Sequence, residues 1–304
     1  MRSKPIAILC SDIHLSHSPP IARSLEPDWY AAMDRVLAQV RRLSDDYNIP
    51  VVCAGDIFHR HNPPPSLINF AIKNLPHMYA VPGQHDLPFH SYENIDKSAF
   101  RTLMMAGKVT LIDGEVLRHE FNHGSFIMHG FGWNREIVPL AGGNCDDIQL
   151  AVCHKYIWVD GKSYPGAPEE SKVRGLKKTL KGYNAAVFGD NHIPFFSMAG
   201  DCEVLNSGCL IRRTQDDRKY PNGVGLLCSD GTIELYPLNT NGDKWLDVEV
   251  EEEVQDVNPE LEQFLSDLAS MQTNDIDFEE LILRYLVDNE VDDEVAKLIR
   301  SLVK

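Results

Sequence analysis

Short apolar runs, each closed by acidic or imidazole side chains, recur along the first two thirds of this chain. Ile6–Cys10 runs into Ser11-Asp12-Ile13-His14, Val51–Cys53 into Ala54-Gly55-Asp56, and Met78–Val81 into Pro82-Gly83-Gln84-His85-Asp86. Leu150–Cys153 ends in His154, and Ala185–Phe188 in Gly189-Asp190-Asn191-His192. Runs of this length predict buried strands. Between the first two, Tyr30, Met33, Leu37, Val40 and Leu43 repeat at helical spacing. Further helices are expected from Ser66 and around 95–106, then a strand at Thr110–Ile112. This alternation predicts a largely parallel sheet with helices outside. The second half is richer in strands: Phe126–His129, Gln149–Cys153, Ala185–Phe188, Cys202–Leu205, Val224–Leu227 and Ile233–Tyr236, the last two joined by a Ser229-Asp230-Gly231 turn. One basic helix is expected at Ser171–Leu180. The expected fold is an α/β (α+β) sandwich: two mixed β-sheets packed face to face, with helices on both outer sides. Ligands of open α/β sheets bind beyond the carboxyl ends of strands, so five strand ends deliver Asp and His to one rim.

From Asn239 the texture changes. Asp247–Val254 alternates acidic residues with Val, an edge-strand pattern. Asn258-Pro259 suits a helix start, and two more short amphipathic helices follow. The expected division is a core over 1–241 and an acidic helical C-terminal appendage over 242–304. The net charge of −16 argues against nucleic acid until its distribution is considered. Of 45 acidic and 29 basic residues, 19 and 5 lie in 242–304, leaving 26 and 24 in the core. Arg212, Arg213, Arg218 and Lys219 fall on a loop near the rim and are candidates for phosphate contact. The seven cysteines are scattered, with no C-x-x-C pair, which suits a reduced, cytoplasmic protein without structural zinc. No run is long enough to span a membrane.

Carboxylates and imidazoles without thiolates suit Mn²⁺, Fe or Zn²⁺. Two ions a few ångströms apart need a shared oxygen ligand, and Asp56 is the natural bridge, because a carboxylate can bridge and an imidazole cannot. Such a pair clamps a phosphate and lowers the pKa of a bridging water, giving a hydroxide placed for in-line attack on phosphorus. His85 with Asp86 is the kind of pair in which a carboxylate orients an imidazole that assists a leaving oxygen. His59 and His61 read as surface histidines or as phosphate contacts.

The series SDIHL, AGDIF, PGQHD, CH and GDNH resembles the five-part signature of the calcineurin-like metallophosphoesterases, covering Asp12 to His192. The resemblance implies one metal held by Asp12, His14, Asp56 and His192. It implies a second held by Asp56, Gln84, His154 and Asp190, with His85 as the catalytic histidine. Two positions depart from the family pattern: Gln84 stands where Asn is usual and Asp190 where His is usual. Both fall on the second metal, which predicts a weaker or more oxygen-selective site, favouring Mn²⁺ or Mg²⁺. Within the superfamily the chain is most similar to SbcD-like DNA repair nucleases, including phage versions. That implies a Mn²⁺-dependent DNA exonuclease or endonuclease, an SbcC-like coiled-coil ATPase partner for the C-terminal helices, and a homodimer. A phosphatase or phosphodiesterase for small nucleotides or phosphoproteins is the alternative on the same core.

Overall fold

The structure, a computed structural model, describes residues 3–121, 124–140, 147–164 and 166–247. The expected C-terminal helices, the expected strand from Val248 onward and the ATPase-binding role assigned to those helices lie outside the described residues. In chain order, β1 (Pro5–Cys10), α1 (Trp29–Tyr47), β2 (Val51–Cys53), α2 (Pro65–Asn74), β3 (Met78–Ala80), α3 (Ala99–Met105) and β4 (Val109–Leu111) alternate as the pattern predicts. Then come β5 (Val116–Phe121), β6 (Gly124–Phe131), β7 (Ile148–His154), β8 (Ala185–Gly189), β9 (Phe195–Ala199), β10 (Cys202–Asn206), β11 (Gly223–Cys228) and β12 (Ile233–Pro237). They form two mixed six-stranded sheets, ordered β12-β11-β1-β2-β3-β4 and β5-β6-β7-β8-β10-β9.

Each sheet is parallel in its middle and antiparallel toward an edge. The parallel strands are apolar on both faces because both faces are covered. Leu9, Val52, Ala54 and Val81 meet Met128, Leu150, Val152 and Val187 between the sheets. The outer face of the first sheet packs on Met33, Val36, Leu37 and Val40 of α1 and on Phe100 and Leu103 of α3. Each such side chain contributes about 1.5–3 kcal/mol when fully buried. Asp28 caps α1 by accepting from the Ala31 amide, and Asn48, in the left-handed region, ends it.

Two expectations change here. The second sheet's outer face is covered by Val173, Leu176 and Leu180, but over 169–177 the chain makes short 3₁₀ turns, with no basic helix. Lys172 is drawn in, paired with Asp160 and lying over Trp158, and Gly175 interrupts the run. The Lys172 stem is buried against the Trp158 ring while its ammonium keeps Asp160. The helix expected at 95–106 starts at Ala99, because Ser98 caps it, and the preceding turn is 3₁₀.

Residues 242–247 pack against 22–26, Arg35 of α1 and the 212–218 segment. Asp243 pairs with Arg23 at 2.9 Å and Arg212 at 3.0 Å, and Trp245 lies over the Arg23 and Arg212 guanidinium groups. Glu26 takes Arg23 at 2.6 Å, Arg35 at 2.8 Å and the Lys244 amide at 2.8 Å on one oxygen. Burial alone would raise the Glu26 pKa, but Arg23, the Lys244 amide and Arg35 outweigh it, and the net shift is downward. Its contribution is therefore complete above the ordinary carboxylate pKa and is lost as pH falls through the lowered value. Glu26→Ala removes one of the two carboxylates that Arg23 and Arg35 share and leaves both on Asp243. It is expected to cost about 3 kcal/mol in urea unfolding, and a loss below about 0.5 kcal/mol would refute this account.

Candidate metal centre

The rim at the carboxyl ends of β1, β2, β3, β7 and β8 gathers the predicted side chains. Past their ends the first two strands keep running side by side: the amides of Asp12, His14 and Leu15 donate to the carbonyls of Gly55, Asp56 and Ile57. That places the Asp12-Ile13-His14 turn against Asp56. Asp12, His14, Asp56 and Asp190 all take positive φ, between 49° and 86°. Side chains other than glycine adopt this region at a cost of order 1–3 kcal/mol, and such strain concentrates at functional sites.

Glycines make room for the cluster. A Cβ on Gly55, whose φ is +91°, would come within 3.0 Å of His154 and of the Gly83 amide. One on Gly83 would meet the Asp56 carboxylate, and one on Gly189 the Ala54 carbonyl and His154. Gly55→Ala is expected to cost more than about 2 kcal/mol and to weaken divalent-metal binding by displacing the His154 ring. Thermal melts with and without Mn²⁺ check this, and an unchanged metal-induced stabilisation would count against it.

Potential ligand atoms of Asp12, His14 and His192 lie within 4.8 Å of one another, as do those of Asp12, Asp56 and His154, and those of His14, Asp56 and His85. His14 Nε2 is 3.0 Å from His192 Nε2, 3.8 Å from Asp12 Oδ1 and 3.7 Å from Asp56 Oδ2. His154 is held by Nδ1 donating to the Ala54 carbonyl, which leaves Nε2 facing Gln84 Oε1 at 2.6 Å and Asp56 Oδ2 at 3.5 Å. Gln84 Nε2 donates to Asp190 Oδ1 at 2.8 Å, and the Asp190 amide donates to the Asp12 carboxylate at 3.1–3.2 Å. Among the described residues, Asp190 is in none of the three-ligand groups.

Charge is strongly frustrated here. Burial, with the Asp56 charge adding, raises the Asp12 pKa to about 6, against His192 and His154. Burial would also raise Asp56, but His154, His14 and His85 outweigh it and keep it below the usual carboxylate range. Burial opposes charge on His154, yet Asp56, Asp12 and Asp190 raise its pKa to about 10. Burial drives His14 well below its ordinary value. A neutral His154 would point a lone pair at two oxygens, so a proton or a cation must lie there. His14 Nδ1 and Asp56 Oδ2 are buried without hydrogen-bond partners, a state that buried polar groups rarely keep unless something else binds them. Oxygen and imidazole donors, buried, crowded and partly orphaned, fit divalent ions.

His85 is placed by its backbone amide, which donates to Asp56 Oδ1 at 3.0 Å, and by Nδ1, which donates to the His59 carbonyl at 3.0 Å. A carbonyl only accepts, so Nδ1 keeps its hydrogen and Nε2 is the atom free to gain or lose a proton. Asp86 does not orient His85, contrary to expectation. Its carboxylate accepts from the amides of Ile57, Phe58 and Gly83, binding the β2 loop to the β3 loop. His59, read as a surface or phosphate-contact residue, is half-buried and stacks on His85, ring centroids 5.4 Å apart and planes 19° apart. Its place three residues after Asp56 was the available signal.

The four basic residues expected to contact phosphate all have internal partners. Arg212 is bound to Asp243, Arg218 to Asp247 at 2.5 Å and Lys219 to Asp216 at 2.6 Å. Arg213 alone reaches the centre, donating to the His14 carbonyl at 3.2 Å and to Ser16 Oγ at 2.7 Å.

The sequence model described as calcineurin-like phosphoesterase matches residues 7–194, a stretch that includes every strand-end ligand. The chain belongs to the calcineurin-like phosphoesterase family. No curated protein matches this chain. Among solved structures it is similar to the sulfate thiohydrolase SoxB of Thermus thermophilus in complex with glycerol, at 10% identity and TM-score 0.47, over 88% of this chain and 60% of that one. It is also similar to an archaeal phosphodiesterase, at 14% identity and TM-score 0.39, over 76% and 99% of the two chains. A putative 5′-nucleotidase from Staphylococcus aureus in complex with alpha-ketoglutarate aligns at 10% identity and TM-score 0.46, over 86% and 58%. The chain thus spans about three fifths of the length of SoxB and of the nucleotidase. Among its described residues, no helix is long and apolar enough to cross a membrane.

Proposed function

We propose that this protein hydrolyses phosphodiesters with two divalent ions, Mn²⁺ foremost, and that its substrate is DNA, in the manner of an SbcD-like nuclease. The observation that carries the hydrolytic part is the sharing of Asp56 between ligand groups that contain His14 on one side and His154 on the other. Asp12, His14, Asp56 and His192 would hold one ion; Asp56, His154 and Gln84 would supply the other. Bound there, the ions would neutralise phosphoryl charge and make water acidic enough to act as the nucleophile near neutral pH. The chain's own part is to hold the reacting groups. The His59 carbonyl and the Asp56 carboxylate aim His85, and a proton on His85 Nε2 can pass to the oxygen leaving phosphorus, ending on the product hydroxyl. Arg213, fixed behind His14, adds positive charge on the same side.

DNA as substrate is supported by the SDIHL and AGDIF motifs and by a core nearly balanced in charge. A specific observation favours the second reading, small nucleotides: the internal pairing of Arg212, Arg218 and Lys219 leaves fewer cations for a long phosphate backbone. End-labelled single- and double-stranded DNA, a bis-aryl phosphodiester and an aryl phosphomonoester, each with Mn²⁺, separate the two. DNA cleavage that falls about 10²-fold in His85→Ala upholds the nuclease. Turnover of the small esters alone moves the assignment to a nucleotide phosphodiesterase or phosphatase.

A further inference from the structure

We infer that Asp190 is a positioning residue that sets the polarity of the Gln84 amide, and that it does not itself ligate the second ion. The inference rests on the metal-centre part of the proposed function.

A glutamine side chain offers an oxygen from one edge and an NH₂ from the other, and the two edges differ little in shape. Only the oxygen can serve a cation; the NH₂ would set its hydrogens against it. Nothing in Gln84 itself chooses between them, so the choice must come from its neighbours. A carboxylate can only accept when ionised. Asp190 Oδ1, 2.8 Å from Gln84 Nε2, therefore draws the NH₂ toward itself and turns Oε1 toward His154 Nε2, at 2.6 Å. A carboxylate in that position excludes the flipped amide, which would set oxygen against oxygen.

Asp190 is in turn fixed by its backbone. Its φ of 86° is costly for a side chain with a Cβ, and its amide is held by both oxygens of Asp12. The chain is thus bent so that the amide serves the first ligand group while the side chain serves Gln84. Asp12, Asp56 and His154 converge to within 4.8 Å, while the Asp190 carboxylate is engaged by the Gln84 amide. Its role runs through the amide. The arrangement also accounts for the length of Gln84, which must reach both His154 and Asp190 from one side chain.

A double-mutant cycle tests this with metal affinity as the readout. The full chain is stripped with chelator and titrated with Mn²⁺ by calorimetry, as wild type, Gln84→Ala, Asp190→Ala and the double variant, with thermal melts confirming folding. Each single variant is expected to weaken the lower-affinity site about tenfold. In the Gln84→Ala background, Asp190→Ala is expected to change it less than threefold, and a threefold or larger further loss overturns the inference. Asp190→Asn keeps an acceptor oxygen for the amide and is expected to bind Mn²⁺ more tightly than Asp190→Ala. Equal weakening by both would also overturn it. Should wild type bind Mn²⁺ and cleave no DNA, the nuclease assignment fails while the cycle stays readable. A wild type that binds no Mn²⁺ overturns both.

Discussion

Asp56→Asn is expected to lower phosphodiester hydrolysis at least about 10³-fold while leaving the chain folded. Asp56 belongs to the His14–His85 group and to the Asp12–His154 group, so its loss reaches both ions at once. The amide oxygen of the replacement can still accept the His85 backbone hydrogen now taken by Asp56 Oδ1, and this keeps the β3 loop in place. The other carboxylate oxygen is the buried, unpartnered one. There the new NH₂ would face His14 and His154 nitrogens, where a cation would otherwise be shared. The measurement is kcat on a bis-aryl phosphodiester over a Mn²⁺ series, together with a calorimetric count of bound ions. Activity within tenfold of wild type would remove Asp56 from the centre of the mechanism.

Asp86→Ala tests the opposite kind of role. The carboxylate is fully buried and accepts three backbone amides from two loops. Burial, with the Asp56 charge adding, raises its pKa to about 7, against those three amides. Its removal strands three donors in a dry interior, each worth about 1–3 kcal/mol when left unmade. A loss of about 4 kcal/mol is expected in urea unfolding, equivalent to a drop of roughly 10 °C in Tm for a chain of this size. Had Asp86 aimed His85, the variant would keep its stability and lose activity. That result would restore the reading drawn from sequence adjacency.

Local patterns explain most of what was legible. The strands ending at Asp12, Asp56, His154 and His192 are apolar on both faces, so they read as unbroken runs, and the ligand types follow directly. Edge strands carry no such mark. β5 alternates exposed and half-buried residues and β9 covers one side only, and neither was foreseen, because what makes them strands is pairing to β6 and β10. The basic segment 171–180 has helical spacing, yet Lys172 finds Asp160 and Trp158, partners that no spacing reveals.

The amino-acid sequence by itself determined the sandwich of two sheets and the side chains delivered to its rim, because burial writes a periodic pattern along each strand and chemistry follows from residue type at its end. Only the tertiary structure decided which neighbour each polar group serves. It gave Asp86 to the amides of Ile57, Phe58 and Gly83 instead of His85, Arg212 to Asp243 instead of solvent, His59 to His85, and Asp190 to Gln84. Those partners come from segments far apart in the chain, and a buried donor or acceptor takes whatever complementary group the packing brings within about 3 Å.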